Sequence, residues 1–162
     1  MRPWLVLSEV YVQAVFKSGV YLPNLDLWLD STRKREFSLI SHAHSDHTAR
    51  HIRPVLTPNT ARLLGDYLQK SDPILLPYRE PYETPAYTMT LYPAGHCLGS
   101  AQALIESKET GERLLYTGDI KSRKSPTNEP LEPVSCDTLV IESTYGRPEY
   151  VFPPEDQVLE TA

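Results

Sequence analysis

The sequence predicts a mixed α/β sandwich, and three observations lead there. Fifteen prolines cut the 162 residues into short pieces, which favours strands and loops over long helices. Several of these pieces alternate apolar and polar side chains, the period of a half-buried strand. Only two segments carry helix signals, so the few helices must pack on a strand framework.

The expected strands, in chain order, are "VYVQAVF", "GVYLP", "LDLWLD", "FSLIS", "YTMTLYP", "AQALIES", "RLLYTG" and "DTLVIES". "LDLWLD" is the cleanest, with Leu25, Leu27 and Leu29 on one face. "PNTARLLGDYLQK" reads as a helix. Thr57 is its N-cap, Pro58 occupies the first turn, and Ala61, Leu64 and Leu68 form one apolar stripe. "FPPEDQVLETA" opens a second helix, with prolines and acids in its first turn, and the sequence stops soon after.

Composition narrows the function classes. Apolar residues make up 40 %, too many for a disordered chain. No apolar run approaches the ~20 residues that span a bilayer. The start, "MRPWLVLSEVYVQ", lacks the apolar length and cleavage site of a signal peptide, so a cytoplasmic location is expected, with no membrane partner. Cys97 and Cys136 are too few for a disulfide framework. A net charge of −5, from 16 basic and 21 acidic residues, runs against nucleic-acid binding when taken alone. Dense basic clusters occur only at "RKR" (33–35) and "KSRK" (121–124). The second follows Asp119 closely enough to reach a phosphate backbone there.

The chemistry gathers at strand ends. "HAHSDH" follows the apolar strand "FSLIS", and it holds three of the five histidines. On an extended backbone alternate residues point the same way, so His42 and His44 converge on one point. Past a turn, Asp46 and His47 converge on a neighbouring one. Two adjacent metal ions are the simplest use of such a layout. Imidazole and carboxylate suit zinc, and also manganese or iron. A His-rich solvated loop is the bland alternative, and it leaves the remaining strand ends unexplained. "YTMTLYP" leads to His96 in "AGHCLGSAQ", "RLLYTGDI" to Asp119, and "DTLVIES" to Glu142. His96 is a natural third imidazole, and an Asp119 oxygen can bridge two cations. His51, in "TARHIRP", reads as a surface residue near the site, and Cys97 as a small apolar side chain.

"HAHSDH", "AGHCLGSAQ" and "YTGDI", in this order, resemble the metal motifs of the metallo-beta-lactamase fold, and "IESTYG" is similar to the first signature of its beta-CASP nuclease branch. The flanking runs "GVYLPNLDLWLD" and "GRPEYVFPP" most resemble the bacterial ligase-associated DNA exonucleases. The resemblance implies an αββα sandwich. It implies two zinc ions, with manganese as an alternative. His42, His44 and His96 would hold the first, Asp46 and His47 the second, and Asp119 would bridge them. Catalytic roles fall to Asp46 and Glu142, the latter orienting a later histidine. A metal-activated water would attack a phosphodiester. The implied activity is a two-metal DNA exonuclease with a functional link to a DNA ligase. RNA processing, thioester or lactone hydrolysis, and a non-catalytic metal-binding remnant are the alternatives.

Relatives of this kind contribute at least two further histidines, whereas this sequence has none after His96. The expectation is therefore that residues 1–162 form the N-terminal part of a metallo-beta-lactamase domain. The beta-CASP domain and C-terminal return would be absent, and the second metal site would lack a ligand. Self-association, or a complementing C-terminal chain, would then cover the exposed apolar surface.

Overall fold

The computed structural model describes residues 12–153 and Gln157. Two sheets face one another. In the first, β1 (Val15–Phe16), β2 (Val20–Leu22) and β3 (Leu27–Leu29) run antiparallel. β4 (Phe37–Leu39), β5 (Arg53–Leu56) and β6 (Ile74–Leu75) continue it parallel to β3. In the second, β7 (Pro81–Glu83), β8 (Tyr87–Pro93), β9 (Ala101–Ser107) and β10 (Arg113–Tyr116) are antiparallel. β11 (Thr138–Val140) lies parallel to β10 at its edge. One short helix, α1 (Pro58–Leu64), follows β5. The architecture is an α/β sandwich, and among the described residues no helix is long and apolar enough to cross a membrane.

The core is the space between the sheets. Leu22, Leu27, Leu29, Leu39 and Val55 from the first sheet meet Met89, Leu91, Ala103, Ile105 and Leu114 from the second. All are fully buried, and each large aliphatic among them contributes about 2 kcal/mol by leaving water. The alternation read from the sequence therefore identifies the inward faces of β3, β8 and β9.

β8 and β9 match their predicted spans residue for residue. Other elements are shorter than expected, for identifiable reasons. In "LDLWLD" the strand begins only at Leu27, because Pro23–Leu25 form a 3-10 turn closed by Asp26 at a φ of 46°. Leu25 still packs against the core from that turn. The predicted helix is capped by Thr57 as expected, its side chain accepting from Thr60 N–H. The α-helix stops at Leu64, since Gly65 adopts a φ of 48°, and a 3-10 turn (Gly65–Leu68) continues it. β5, β6 and β7 were not expected. They are two to four residues long, and two of them contain a proline. The second predicted helix lies outside the described residues, apart from Phe152, Pro153 and Gln157.

His51 requires a correction. It is buried, not at the surface, with 1 % of its area exposed. Its Nδ1 accepts from Arg35 N–H at 3.1 Å, so the proton of the neutral ring sits on Nε2, which has no partner among the described residues. Arg35 in turn stacks its guanidinium on Trp28, 3.4 Å from the ring centroid. One residue of the "RKR" cluster is thus committed to packing.

Burial pulls the His51 pKa down to about 4. Folded His51 holds a proton less tightly than the unfolded chain does, so its contribution to stability is complete above about 6.5 and is lost as pH falls towards 4. Urea titrations between pH 4 and 8 should show this, with His51→Asn reducing the slope by up to about 1.4 kcal/mol per pH unit. Equal slopes for the two proteins would show that His51 carries no such linkage.

Candidate metal centre

Strand direction brings the chemistry to one edge. β3 and β4 are parallel, so Asp30 and Ser41 emerge together. β8 and β10 both run antiparallel to β9 and therefore parallel to each other, and β11 follows β10. The segments carrying His96, Asp119 and Glu142 thus leave the second sheet at one end. Gly118 allows the two sheets to approach there. Its φ is 54°, and a Cβ at this position would lie 2.7 Å from Ser41 Oγ.

Four side chains converge in the first cluster. His42, His44, His96 and Asp119 each offer one atom, all within 4.8 Å of one another. His42 Nε2 and His44 Nδ1 are 3.0 Å apart, and His96 Nε2 is 3.2 Å from His44 Nδ1. Asp119 Oδ2 is 3.8 Å from His42 Nε2 and 3.7 Å from His96 Nε2. Donors on a tetrahedral zinc with bonds of 2.0–2.1 Å would be separated by about 3.3 Å. The set has that spacing and that chemistry.

Hydrogen bonds outside the cluster fix which ring atoms face inward. Ser41 Oγ donates to Asp30 Oδ2, so it accepts from His42 Nδ1 at 2.9 Å. The His42 proton is thereby held on Nδ1, and the Nε2 lone pair points into the cluster. Burial draws the His42 pKa down to about 4, with the neighbouring His47 adding to the effect. Burial also lowers that of His96. Near neutral pH both rings therefore present lone pairs. Burial raises the pKa of the Asp119 carboxyl, against the opposing influence of His47.

Asp30 organises the neighbouring region. Its carboxylate accepts from Ser41 N–H (2.6 Å), Ser41 Oγ, Tyr116 OH (2.9 Å) and His47 Nδ1 (2.9 Å). The last of these leaves His47 Nε2 facing Asp119 Oδ1 at 3.3 Å and Asp46 Oδ2 at 3.8 Å. Asp30, His42 and His47 also satisfy the spacing of a metal-holding group. With four donors already on it, the Asp30 carboxylate is better suited to aiming His47 than to binding an ion itself. Burial lowers the His47 pKa, but the hydrogen bond and charge of Asp30, with Asp119 and Asp46, outweigh it and raise the value.

The candidates read from the sequence are distributed as follows. His42, His44, His96 and Asp119 are brought together. His47 lies beside them, and Asp46 stands mostly in solvent next to it. Glu142 lies behind the Asp119 turn. Its Oε1 accepts from Ile120 N–H at 2.8 Å and its Oε2 from Thr144 Oγ1 at 2.6 Å. Burial opposes its ionisation, and these two bonds win, lowering its pKa. Cys97 is half-buried and outside both clusters, its thiol pKa raised by burial. Asp30 was missed, although it ends a strand in an acid just as Glu142 does. A cleft of about 380 Å³ opens beside the clusters, lined by Phe16, Val20, His47, Asp119, Ile141 and Glu142.

No family model matches the chain. A probable DNA ligase of Opitutus terrae is 44 % identical over 146 residues, covering 89 % of this chain and 14 % of the ligase. Transcription termination factor FttA of Methanocaldococcus jannaschii is 43 % identical over 79 residues, 46 % of this chain and 12 % of that factor. The DNA cross-link repair protein pso2/snm1 of Schizosaccharomyces pombe is 27 % identical over 136 residues, 77 % of this chain and 24 % of that protein. The chain thus spans less than a quarter of the length of each of these relatives.

Asp30→Asn keeps a single acceptor oxygen, so either Ser41 N–H on the Oδ1 side, or Ser41 Oγ, Tyr116 OH and His47 Nδ1 on the Oδ2 side, should lose its acceptor and meet an N–H instead. The expected cost is at least about 2 kcal/mol in urea unfolding, with metal affinity about 10–100-fold weaker. Tyr116→Phe removes one donor and should cost about 1 kcal/mol. Two variants as stable as the unmodified chain would mean that the Asp30 network is not under load.

Proposed function

Because the chain is related to the metallo-beta-lactamase/beta-CASP nuclease superfamily, we propose that it is a metal-dependent phosphodiester hydrolase acting on nucleic acid. In its finer form the proposal is a DNA exonuclease of the ligase-associated type. The observation that carries it is the convergence of His42, His44, His96 and Asp119 at one sheet edge. The likeness to a stretch of a probable DNA ligase supports DNA as the substrate. On this reading the sheets are the inner layers of an αββα sandwich, and the chain is the N-terminal part of a metallo-beta-lactamase domain.

His42, His44 and His96 would hold one divalent ion, zinc or manganese. His47 and Asp46 would hold another, with Asp119 between them. When bound, such ions supply Lewis acidity, lowering the pKa of water and neutralising charge on phosphoryl oxygens. The chain's own residues do the positioning. Asp30 keeps the His47 proton on Nδ1, and Ser41 keeps that of His42 on Nδ1. Glu142 anchors the turn after Asp119 through Ile120 N–H. Asp46 is assigned proton transfer, since its exposed carboxylate stands 3.8 Å from His47 Nε2. The cleft of about 380 Å³ suits a single nucleotide unit. Lys121, Arg123 and Lys124 lie exposed on the loop after Asp119, where a phosphate backbone would run.

A second reading, RNA processing, is favoured by the likeness to FttA and to an RNase J-like protein of Methanocaldococcus jannaschii. Digestion of matched DNA and RNA, linear and circular, separates the two. The expected result is metal-dependent loss of linear DNA with circular DNA spared, and a drop of at least about 100-fold in His44→Ala. Hydrolysis that survives chelation, or activity on a thioester with none on either nucleic acid, would overturn the proposal.

Metal content gives a separate check. Among the described residues the one imidazole grouped with His47 is that of His42, which already belongs to the first cluster. Chelated and reloaded protein should therefore retain nearer one tight zinc than two. Two tight ions per chain would show that Asp46, His47 and Asp119 suffice. Leu139, on β11, and Ile141 just after it are about half exposed, so the reading includes self-association or a complementing chain across that edge. Sedimentation at several concentrations should show mass above the monomer, and a monodisperse monomer would count against it.

A further inference from the structure

His96 sits on the turn Ala94–Ser100, and this turn is tied down at many points. Ser100 Oγ accepts from His96 N–H and Cys97 N–H, both at 3.1 Å, which closes the turn on itself. Gly99 carries several of the ties to the rest of the protein. Its carbonyl accepts from Thr57 Oγ1 at 2.7 Å and Thr60 Oγ1 at 2.9 Å, at the start of α1. Its φ is 79°, and a Cβ would lie 2.6 Å from Thr60 N, so the turn is pressed against the helix. Gly99 N–H donates in the opposite direction, to Glu129 Oε2 at 3.1 Å.

Glu129 belongs to the segment that continues from Asp119. Its other oxygen, Oε1, accepts from Asn59 Nδ2 at 3.0 Å, on the first turn of α1. The adjacent Asn128 donates from Nδ2 to Gly95 O at 2.7 Å, and Lys121 N–H donates to Ala94 O at 3.1 Å. One carboxylate therefore joins three pieces of chain: the turn carrying His96, the helix after β5, and the loop that begins at Asp119. It touches none of the clustered donor atoms.

We propose that Glu129 is a positioning residue for the first metal cluster, holding the His96 turn at a fixed distance from the Asp119 loop. The inference rests on the metal-dependent reading above. The physical ground is that His96 Nε2 and Asp119 Oδ2, 3.7 Å apart, come from separate segments after separate strands. Their separation is set by whatever joins those segments, and a carboxylate bonded to a buried backbone N–H is the strongest kind of tie among those present. A supporting partner of this sort is worth about 10–100-fold in metal affinity.

The test measures zinc affinity by chelator competition and the visible spectrum of the cobalt(II)-loaded full chain, alongside far-UV circular dichroism. Glu129→Ala is expected to bind about 10–100-fold more weakly, with an altered cobalt spectrum and an unchanged metal-free fold. Glu129→Gln keeps the volume, but its single carbonyl oxygen can accept from only one of the two donors. It should fall between Glu129→Ala and the unmodified chain, and it serves if Glu129→Ala does not fold. Glu83→Ala, which removes a surface ion pair with Lys108 far along the sheet, should bind as the unmodified chain does. Unmodified affinity and spectrum in Glu129→Gln, or in folded Glu129→Ala, would overturn the inference. Absence of tight metal binding in the unmodified chain would instead overturn the metal-dependent reading, and this inference with it.

Discussion

The Asp30 carboxylate is the point on which the site edge depends. It lies at the end of β3 in the first sheet, with a φ of 48° that turns it back over the strand end. From there it receives Tyr116 OH from the second sheet, Ser41 from just past the strand beside it, and His47 from the turn beyond. Two sheets packed only by aliphatic side chains can slide by fractions of an ångström at little cost. A buried carboxylate with four donors cannot, because each donor left behind would be unpaired away from water. The hydrophobic core makes the sandwich, and Asp30 fixes its register at the edge where the imidazoles meet.

The electrostatics follow from this arrangement. Three imidazole nitrogens within 3.0–3.2 Å of their neighbours repel one another unless a proton or a cation sits between them. Burial disfavours the proton on His42 and His96, so near neutral pH the cluster is prepared for a cation. The acids take different parts. Asp119 faces the cluster, Asp30 and Glu142 spend their oxygens on backbone and side-chain donors, and Asp46 remains in solvent.

Much of the site was legible because its donors are close in sequence. His42, His44 and His47 fall within six positions, and His96 and Asp119 each follow a clear strand. Asp30 was not legible for the opposite reason. Its meaning lies in partners 11, 17 and 86 residues away, and nothing local marks it apart from a strand ending in an acid. His51 was misread on similar grounds. Its burial depends on Arg35, 16 residues earlier, offering a backbone N–H. β8 and β9 were read in full because seven residues show an alternation plainly, whereas β6 has two and shows none.

The four donors of the first cluster differ in depth. His42 is wholly buried, His96 and Asp119 are half-covered, and His44 is exposed. A divalent ion held there would be open to water on the His44 side and covered on the His42 side. His42 would be the donor best shielded from competing water, and His44 the one most readily reached by a chelator.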